Sequence, residues 1–171
     1  MATWAPKLYA YYVEKIGQLY QQDPSLTPVF RNSVFSSTTY NLGPRTVCFK
    51  HTDFANLPFG LCAVTAMGSY DPTKGGHLVL WECCLVIEFP PGSTILLASG
   101  VIAHSNASVM QGETRYSVVQ YSAGALFRWV ENGFQRSVDY FASLSSEELE
   151  DVQAKDANRW AFGRSLLPVF K

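Results

Sequence analysis

Between Phe59 and Ser122 the chain breaks into short apolar runs, each closed by a turn signal. The runs are 59–67, 78–84, 85–89, 94–98, 101–109 and 115–122. The joints are Asp71 to Gly76 with its Pro and two glycines, Pro90-Pro91-Gly92, and Gln111-Gly112-Glu113. Short β-branched and aromatic segments at such spacing predict strands of a sandwich or barrel. Two more strand-like runs, 29–36 and 46–51, precede them, separated by a turn signal at Asn41 to Pro44. Helical spacing is confined to the flanks. Leu8, Tyr12, Ile16, Leu19 and Tyr20 predict a helix over 6–22, ended by Asp23-Pro24. Near the C-terminus, Ser145 and Glu148 form a capping box ahead of Leu149, Val152, Ala157 and Trp160. The expected fold is β-rich (α+β): a double-stranded β-helix, or jelly-roll, core with flanking N- and C-terminal helices. It forms one domain over 1–171, with the core at about 45–135.

Charge narrows the partners. The net charge is -1, which is not the footprint of a protein that grips nucleic acid over a broad basic face. The acids are unevenly placed, with five acids and one lysine in Glu147 to Asp156, so the rest carries 12 basic and 9 acidic residues. A polyanionic substrate is permitted but not required. Cys48, Cys62, Cys83 and Cys84 show no Cys-x-x-Cys and no zinc-finger spacing, which argues against a structural zinc. The Cys83-Cys84 pair reads as two reduced thiols on opposite faces of a strand. No signal peptide and no long apolar run is visible, so an intracellular location without membrane contact is expected. In that setting the sequon at Asn106 carries little meaning.

The chemistry concentrates in few residues. His51-Thr52-Asp53 places an imidazole and a carboxylate on one side of a strand end, because strand side chains alternate. His104 follows on a later run. Two histidines and one carboxylate are the ligand set of a non-heme Fe(II) oxygenase, with positions left open for a bidentate 2-oxo acid and dioxygen. On the late run Arg115, Ser117, Val119 and Tyr121 share a face, which reads as a cavity wall. An always-charged arginine suits the distal carboxylate of 2-oxoglutarate, and Ser117 can add a hydrogen bond. The turn at 110–114 is short enough for a hairpin that holds His104 and Arg115 on neighbouring strands. A lone strand histidine is usually structural, and Arg115 could be a solvated strand residue. The chain has only three histidines, however, and two fall where the ligand set needs them. His77, after Gly75-Gly76, is the spare and reads as a residue at the start of a strand.

Several stretches carry a family resemblance: His-Thr-Asp-Phe-Ala-Asn-Leu-Pro-Phe-Gly (51–60), Gly-Gly-His-Leu-Val-Leu-Trp (75–81), Phe-Pro-Pro-Gly-Ser-Thr (89–94), Ala-His-Ser-Asn (103–106) and Gly-Glu-Thr-Arg-Tyr-Ser (112–117). The chain resembles the Fe(II)/2-oxoglutarate dioxygenases of the TET/JBP type, in the compact, transposon-associated form of basidiomycete fungi. The resemblance implies His51, Asp53 and His104 as catalytic iron ligands, Arg115 and Ser117 as the 2-oxoglutarate site, and dioxygen as oxidant. It implies Asn56 and Tyr121 as contacts to a base flipped out of methylated DNA. On their own, Asn56 could be a turn residue before Pro58 and Tyr121 a core residue. The expected reaction is oxidation of 5-methylcytosine to 5-hydroxymethylcytosine and beyond, by a monomer in the nucleus. The alternatives are N6-methyladenine or RNA, or a protein or small-molecule hydroxylase of the prolyl-hydroxylase kind. Ala123 stands where TET proteins place a base-contacting histidine, and their cysteine-rich zinc module is absent. Both departures bear on the substrate more than on the iron chemistry.

Overall fold

The computed structural model describes residues 1–169 and contains two compact units. One runs from Phe35 to Ser122; the other joins Met1–Val34 to the residues from Ala123 onward.

The first unit holds the strands β1 (Ser37–Asn41), β2 (Cys62–Ser69), β3 (Leu78–Leu80), β4 (Leu85–Ile87), β5 (Thr94–Leu97), β6 (His104–Asn106) and β7 (Thr114–Tyr121). They form two antiparallel sheets, ordered β1-β7-β2-β5 and β4-β3-β6. An antiparallel bridge between His51 and His104 adds one residue of an eighth strand beside β6. The chain crosses from one sheet to the other after β2, β4, β5 and β6, and the two facing sheets make the unit a double-stranded β-helix. Cys62, Ala66, Leu78, Leu80, Phe89 and Leu97 are its buried apolar centre, and Val64, Ile95 and Val119 pack against them. Alternation is visible in this set: Cys62, Val64 and Ala66 on β2, Leu78 and Leu80 on β3, and Ile95 and Leu97 on β5 are each two residues apart.

Two glycines are forced by close approaches. Gly68 has φ +122°, and a Cβ there would lie 2.2 Å from the Thr114 carbonyl oxygen on β7. Gly76 has φ +71°, and its Cβ would lie 2.5 Å from the Tyr70 ring.

The expected strand segments shift in several places. Residues 29–36 form no strand; Ser33 N–H turns back to the Phe30 carbonyl, and pairing begins only at Ser37. Residues 46–51 form no continuous ladder. Instead the buried Asn106 side chain accepts from Cys48 N–H (2.8 Å) and donates to the Thr46 carbonyl (3.1 Å). A side chain thereby satisfies backbone that a neighbouring strand would otherwise pair. The same bonds bury the amide of the sequon. The run 78–84 ends at Leu80 in a turn, with Cys84 at φ 52°. Cys83 and Cys84 are therefore exposed turn thiols, not strand residues facing opposite ways.

The second unit is helical: α1 (Pro6–Gln22), α2 (Gly124–Glu131), α3 (Ser137–Ser143), α4 (Ser146–Ala157) and α5 (Arg159–Ser165). The helix read from the sequence over 6–22 matches α1, with Pro6 in its first turn, where its missing N–H costs nothing. The fully buried Phe127 stacks on Tyr11 (5.5 Å between centroids) and meets Tyr12 edge-on (4.9 Å). Tyr11 donates to Glu131, which also pairs with Arg159. The capping box is formed: Ser145 Oγ accepts from Glu148 N–H, and the Glu148 carboxylate accepts from Ser145 N–H at 2.8 Å. Among the described residues no helix is long and apolar enough to cross a membrane.

Candidate metal and cosubstrate site

His51, Asp53 and His104 converge at one end of the β-unit, and their ligand atoms lie within 4.8 Å of one another. The backbone brings them together. His51 N–H bonds to the His104 carbonyl (3.1 Å), and His104 N–H returns the bond (2.9 Å). Asp53, two residues on, is tied by its N–H to the Ser99 carbonyl at 2.8 Å. The Asp53 carboxylate oxygens lie 3.6 Å from His51 Nε2 and 4.0 Å from His104 Nε2.

Both imidazoles are held in one tautomer. Nδ1 of His51 lies 2.7 Å from the Phe49 carbonyl, and Nδ1 of His104 lies 3.0 Å from the Ile102 carbonyl. A carbonyl only accepts, so Nδ1 carries a hydrogen and Nε2 is the nitrogen available to a metal. In both rings that nitrogen faces Asp53. This is the outer support expected of metal-ligating histidines. Exposure is graded: the side chain of His104 is 10% exposed, Asp53 31% and His51 43%. The cluster therefore opens on the His51 side, as a site needs if small molecules are to reach the metal. His77 is not part of it.

A cavity of about 570 Å³ adjoins the three residues, within the usual range for small-molecule sites. Arg115, Ser117, Val119 and Tyr121 line it together, as alternation along β7 predicts. The hairpin expectation is corrected: β6 and β7 belong to different sheets, and His104 and Arg115 reach the cavity from opposite walls. β7 instead pairs with β1 and β2, whose longer registers outcompete the short link through 110–114.

Arg115 is 2% exposed, yet it has no carboxylate partner among the described residues. Its Nε finds no hydrogen-bond partner, and its Nη1 makes only a long 3.4 Å bond to the Thr46 carbonyl. Burial pushes the Tyr70 hydroxyl above its ordinary pKa range, while the Arg115 charge pulls against it. A buried guanidinium without an ion partner costs several kcal/mol by order of magnitude. A dianionic ligand in the cavity would offset that cost. Ser117 is buried, and its Oγ accepts from Asn41 Nδ2 at 2.9 Å, leaving its hydrogen to donate. Asn41 was legible only as a turn residue; its place opposite Ser117 comes from the β1–β7 register.

Asn56 and Tyr121 also line the cavity. The two hydrogens of the Asn56 amide point to Asp53 Oδ2 (3.4 Å) and Ser99 Oγ (3.1 Å). Tyr121 is half-buried, packs against the apolar core, and accepts from Thr39 Oγ1 at 3.5 Å. Ser99, with 1% exposure, is a site residue that no motif announces.

The donor set suits a divalent iron: two neutral imidazole nitrogens and one carboxylate, with the remaining positions open. The orphaned guanidinium suits the acidic cosubstrate of such a site.

No protein-family model and no curated protein matches the chain. Solved structures with a similar arrangement include NgTET1 in complex with 5mC DNA, at 18% identity and a TM-score of 0.49. That similarity covers 67% of this chain and 47% of the other, so the chain spans about half of that protein's length. The collagen prolyl hydroxylase of Paramecium bursaria Chlorella virus-1, in its 2OG complex, is similar at 13% identity and a TM-score of 0.34. It covers 63% of this chain and 69% of the other.

Proposed function

We propose that this chain is an Fe(II)- and 2-oxoglutarate-dependent dioxygenase that oxidises the methyl group of a modified nucleic-acid base, with 5-methylcytosine in DNA as the first candidate. The observation that carries the reading is the buried Arg115, without a carboxylate partner among the described residues, in the same cavity as the His51, Asp53 and His104 triad. His51 Nε2, His104 Nε2 and the Asp53 carboxylate would hold the iron. When bound, it supplies activation of dioxygen, one oxygen atom going to the substrate methyl and the other to succinate as the 2-oxo acid loses CO2.

The chain's own residues bind and orient. Arg115 presents a fork to the distal carboxylate of 2-oxoglutarate, and the Ser117 hydroxyl donates beside it. Apolar walls such as Val64 and Leu78 limit water around the cosubstrate. Tyr121 offers a ring on which a flipped base can stack, and the Asn56 carbonyl oxygen can accept from an exocyclic amine. Action on DNA would place the protein in the nucleus, and the reading needs only one copy of the chain.

The test is incubation with Fe(II), 2-oxoglutarate, ascorbate and oligonucleotides carrying 5-methylcytosine or N6-methyladenine, as duplex DNA, single-stranded DNA and RNA. Nucleoside mass spectrometry reads the products. Oxidised 5-methylcytosine supports the reading, and oxidation confined to N6-methyladenine or RNA moves it to that base. Succinate formation without oxidation of any base would refute a nucleic-acid substrate and point to a protein or small-molecule hydroxylase.

A further inference from the structure

We propose that Asn56, braced by Ser99, is a positioning residue that orients the Asp53 carboxylate toward the metal, with its amide hydrogens committed to that task and not to substrate. The inference rests on reading the triad as a metal site.

Residues 53–56 form a turn closed by Asn56 N–H to the Asp53 carbonyl at 2.8 Å. That turn folds the Asn56 side chain back over Asp53. Its Nδ2 then reaches Asp53 Oδ2 at 3.4 Å and Ser99 Oγ at 3.1 Å. A primary amide has two donor hydrogens, so these contacts use both. Ser99 also accepts the Asp53 N–H through its own carbonyl. Asp53 is thus held from one residue at two points: directly at its backbone, and through Asn56 at its carboxylate.

The brace belongs to a larger clamp. Ser99 lies in a turn after β5, closed by Val101 and Ile102 N–H to the Ala98 carbonyl. The Ile102 carbonyl at the far end of this turn takes the hydrogen of His104 Nδ1. One tight turn, 98–102, therefore orients two of the three ligands, Asp53 through Ser99 and Asn56, and His104 through Ile102. Ser99 is fully buried, so this end of the clamp is shielded from solvent. Such outer hydrogen bonds select the rotamer of a ligand before the metal arrives, and their loss weakens metal binding.

The experiment measures Mn(II) binding, as an inert stand-in for Fe(II), by electron paramagnetic resonance of the free ion on the full chain without cosubstrate or nucleic acid. Thermal melting runs in parallel. Asn56→Ala and the near-isosteric Asn56→Leu should each raise the Mn(II) Kd about 10- to 100-fold with an unchanged melting temperature. Ser99→Ala should raise it less. The double variant Asn56→Ala/Ser99→Ala should match Asn56→Ala, because both act on one carboxylate and their effects do not add. An Asn56 variant that binds Mn(II) within twofold of the wild type would overturn the proposal, as would Ser99→Ala and Asn56→Ala effects that add in full. A wild-type chain that binds no Mn(II) overturns the metal reading as well. A chain that binds Mn(II) with these losses but oxidises no base refutes only the substrate.

Discussion

Replacing Arg115 by Met separates a ligand-binding cation from a structural one. The guanidinium is 2% exposed, its Nε has no partner, no carboxylate pairs with it among the described residues, and its Nη1 bond to the Thr46 carbonyl is 3.4 Å long. Removing a buried charge that lacks an ion partner relieves a desolvation cost, and Met restores most of the apolar volume, so stability should change by less than about 1.5 kcal/mol. Binding should behave differently. Two charge-assisted hydrogen bonds to the distal carboxylate, at about 1.5–3 kcal/mol each, sum to about 3–6 kcal/mol, or a 10²- to 10⁴-fold rise in Kd. The assay is thermal melting with Mn(II) and N-oxalylglycine, an unreactive analogue of 2-oxoglutarate. At 100 times its Kd the analogue adds about 2.7 kcal/mol to the wild type, which for a chain of this size raises Tm by about 5–11 °C. Arg115→Met at the same concentration should rise by less than about 2 °C, from an unliganded Tm within a few degrees of the wild type. A variant that melts far lower, yet keeps the analogue-induced rise, would show that Arg115 supports the fold and that the cavity binds the cosubstrate without it.

His51→Ala and Asp53→Ala should abolish conversion of 2-oxoglutarate to succinate while leaving circular dichroism unchanged, since both side chains are partly exposed; residual turnover above a metal-free control would remove them from the ligand set. Burial pushes the Cys62 thiol from 9.0 up to about 11, against a smaller opposing effect of its bond with Ser99. A raised folded-state pKa means that this stability is complete below pH 9 and lost as pH rises toward about 11, by at most ~3 kcal/mol. Urea titrations across that window should show the loss, and Cys62→Ala should make it shallower, the buried tyrosines Tyr11 and Tyr70 retaining their share; an unchanged slope would exonerate the thiol. Phe127→Ala should cost about 3–5 kcal/mol by denaturant unfolding, because the ring is fully buried between Tyr11 and Tyr12, and a loss under 1 kcal/mol would contradict that packing.

What the sequence makes legible here follows from the range of each interaction. Period-two alternation is local, and it put Arg115, Ser117, Val119 and Tyr121 on one wall before any partner strand was known. The spacing of His51 and Asp53 is local as well. Sheet membership is not: nothing in residues 104–121 says that β7 will pair with β1 and β2 and leave β6 to the opposite sheet. Nor does the sequence show that an asparagine side chain at 106 will replace ladder bonds at 46 and 48. Helix α2 is hard to read for a related reason, since eight residues directly after a strand make only about two turns of apolar spacing.

Asn56 shows how the same division reaches function. Its place three residues after Asp53 puts an amide beside the site, which the family resemblance would assign to a substrate base. Which atoms that amide has left to offer depends on Ser99, 43 residues away. With both hydrogens turned toward Asp53 and Ser99, only its carbonyl oxygen would be left to offer a base, were one to bind in this cavity. A base that presents a donor at its methyl-bearing edge is then favoured over one that presents an acceptor. The 4-amino group of 5-methylcytosine and the single N6 hydrogen of N6-methyladenine both meet that demand; the 4-oxo group of thymine does not. Discrimination between the first two must come from elsewhere in the cavity, and thymine is the base this site should refuse.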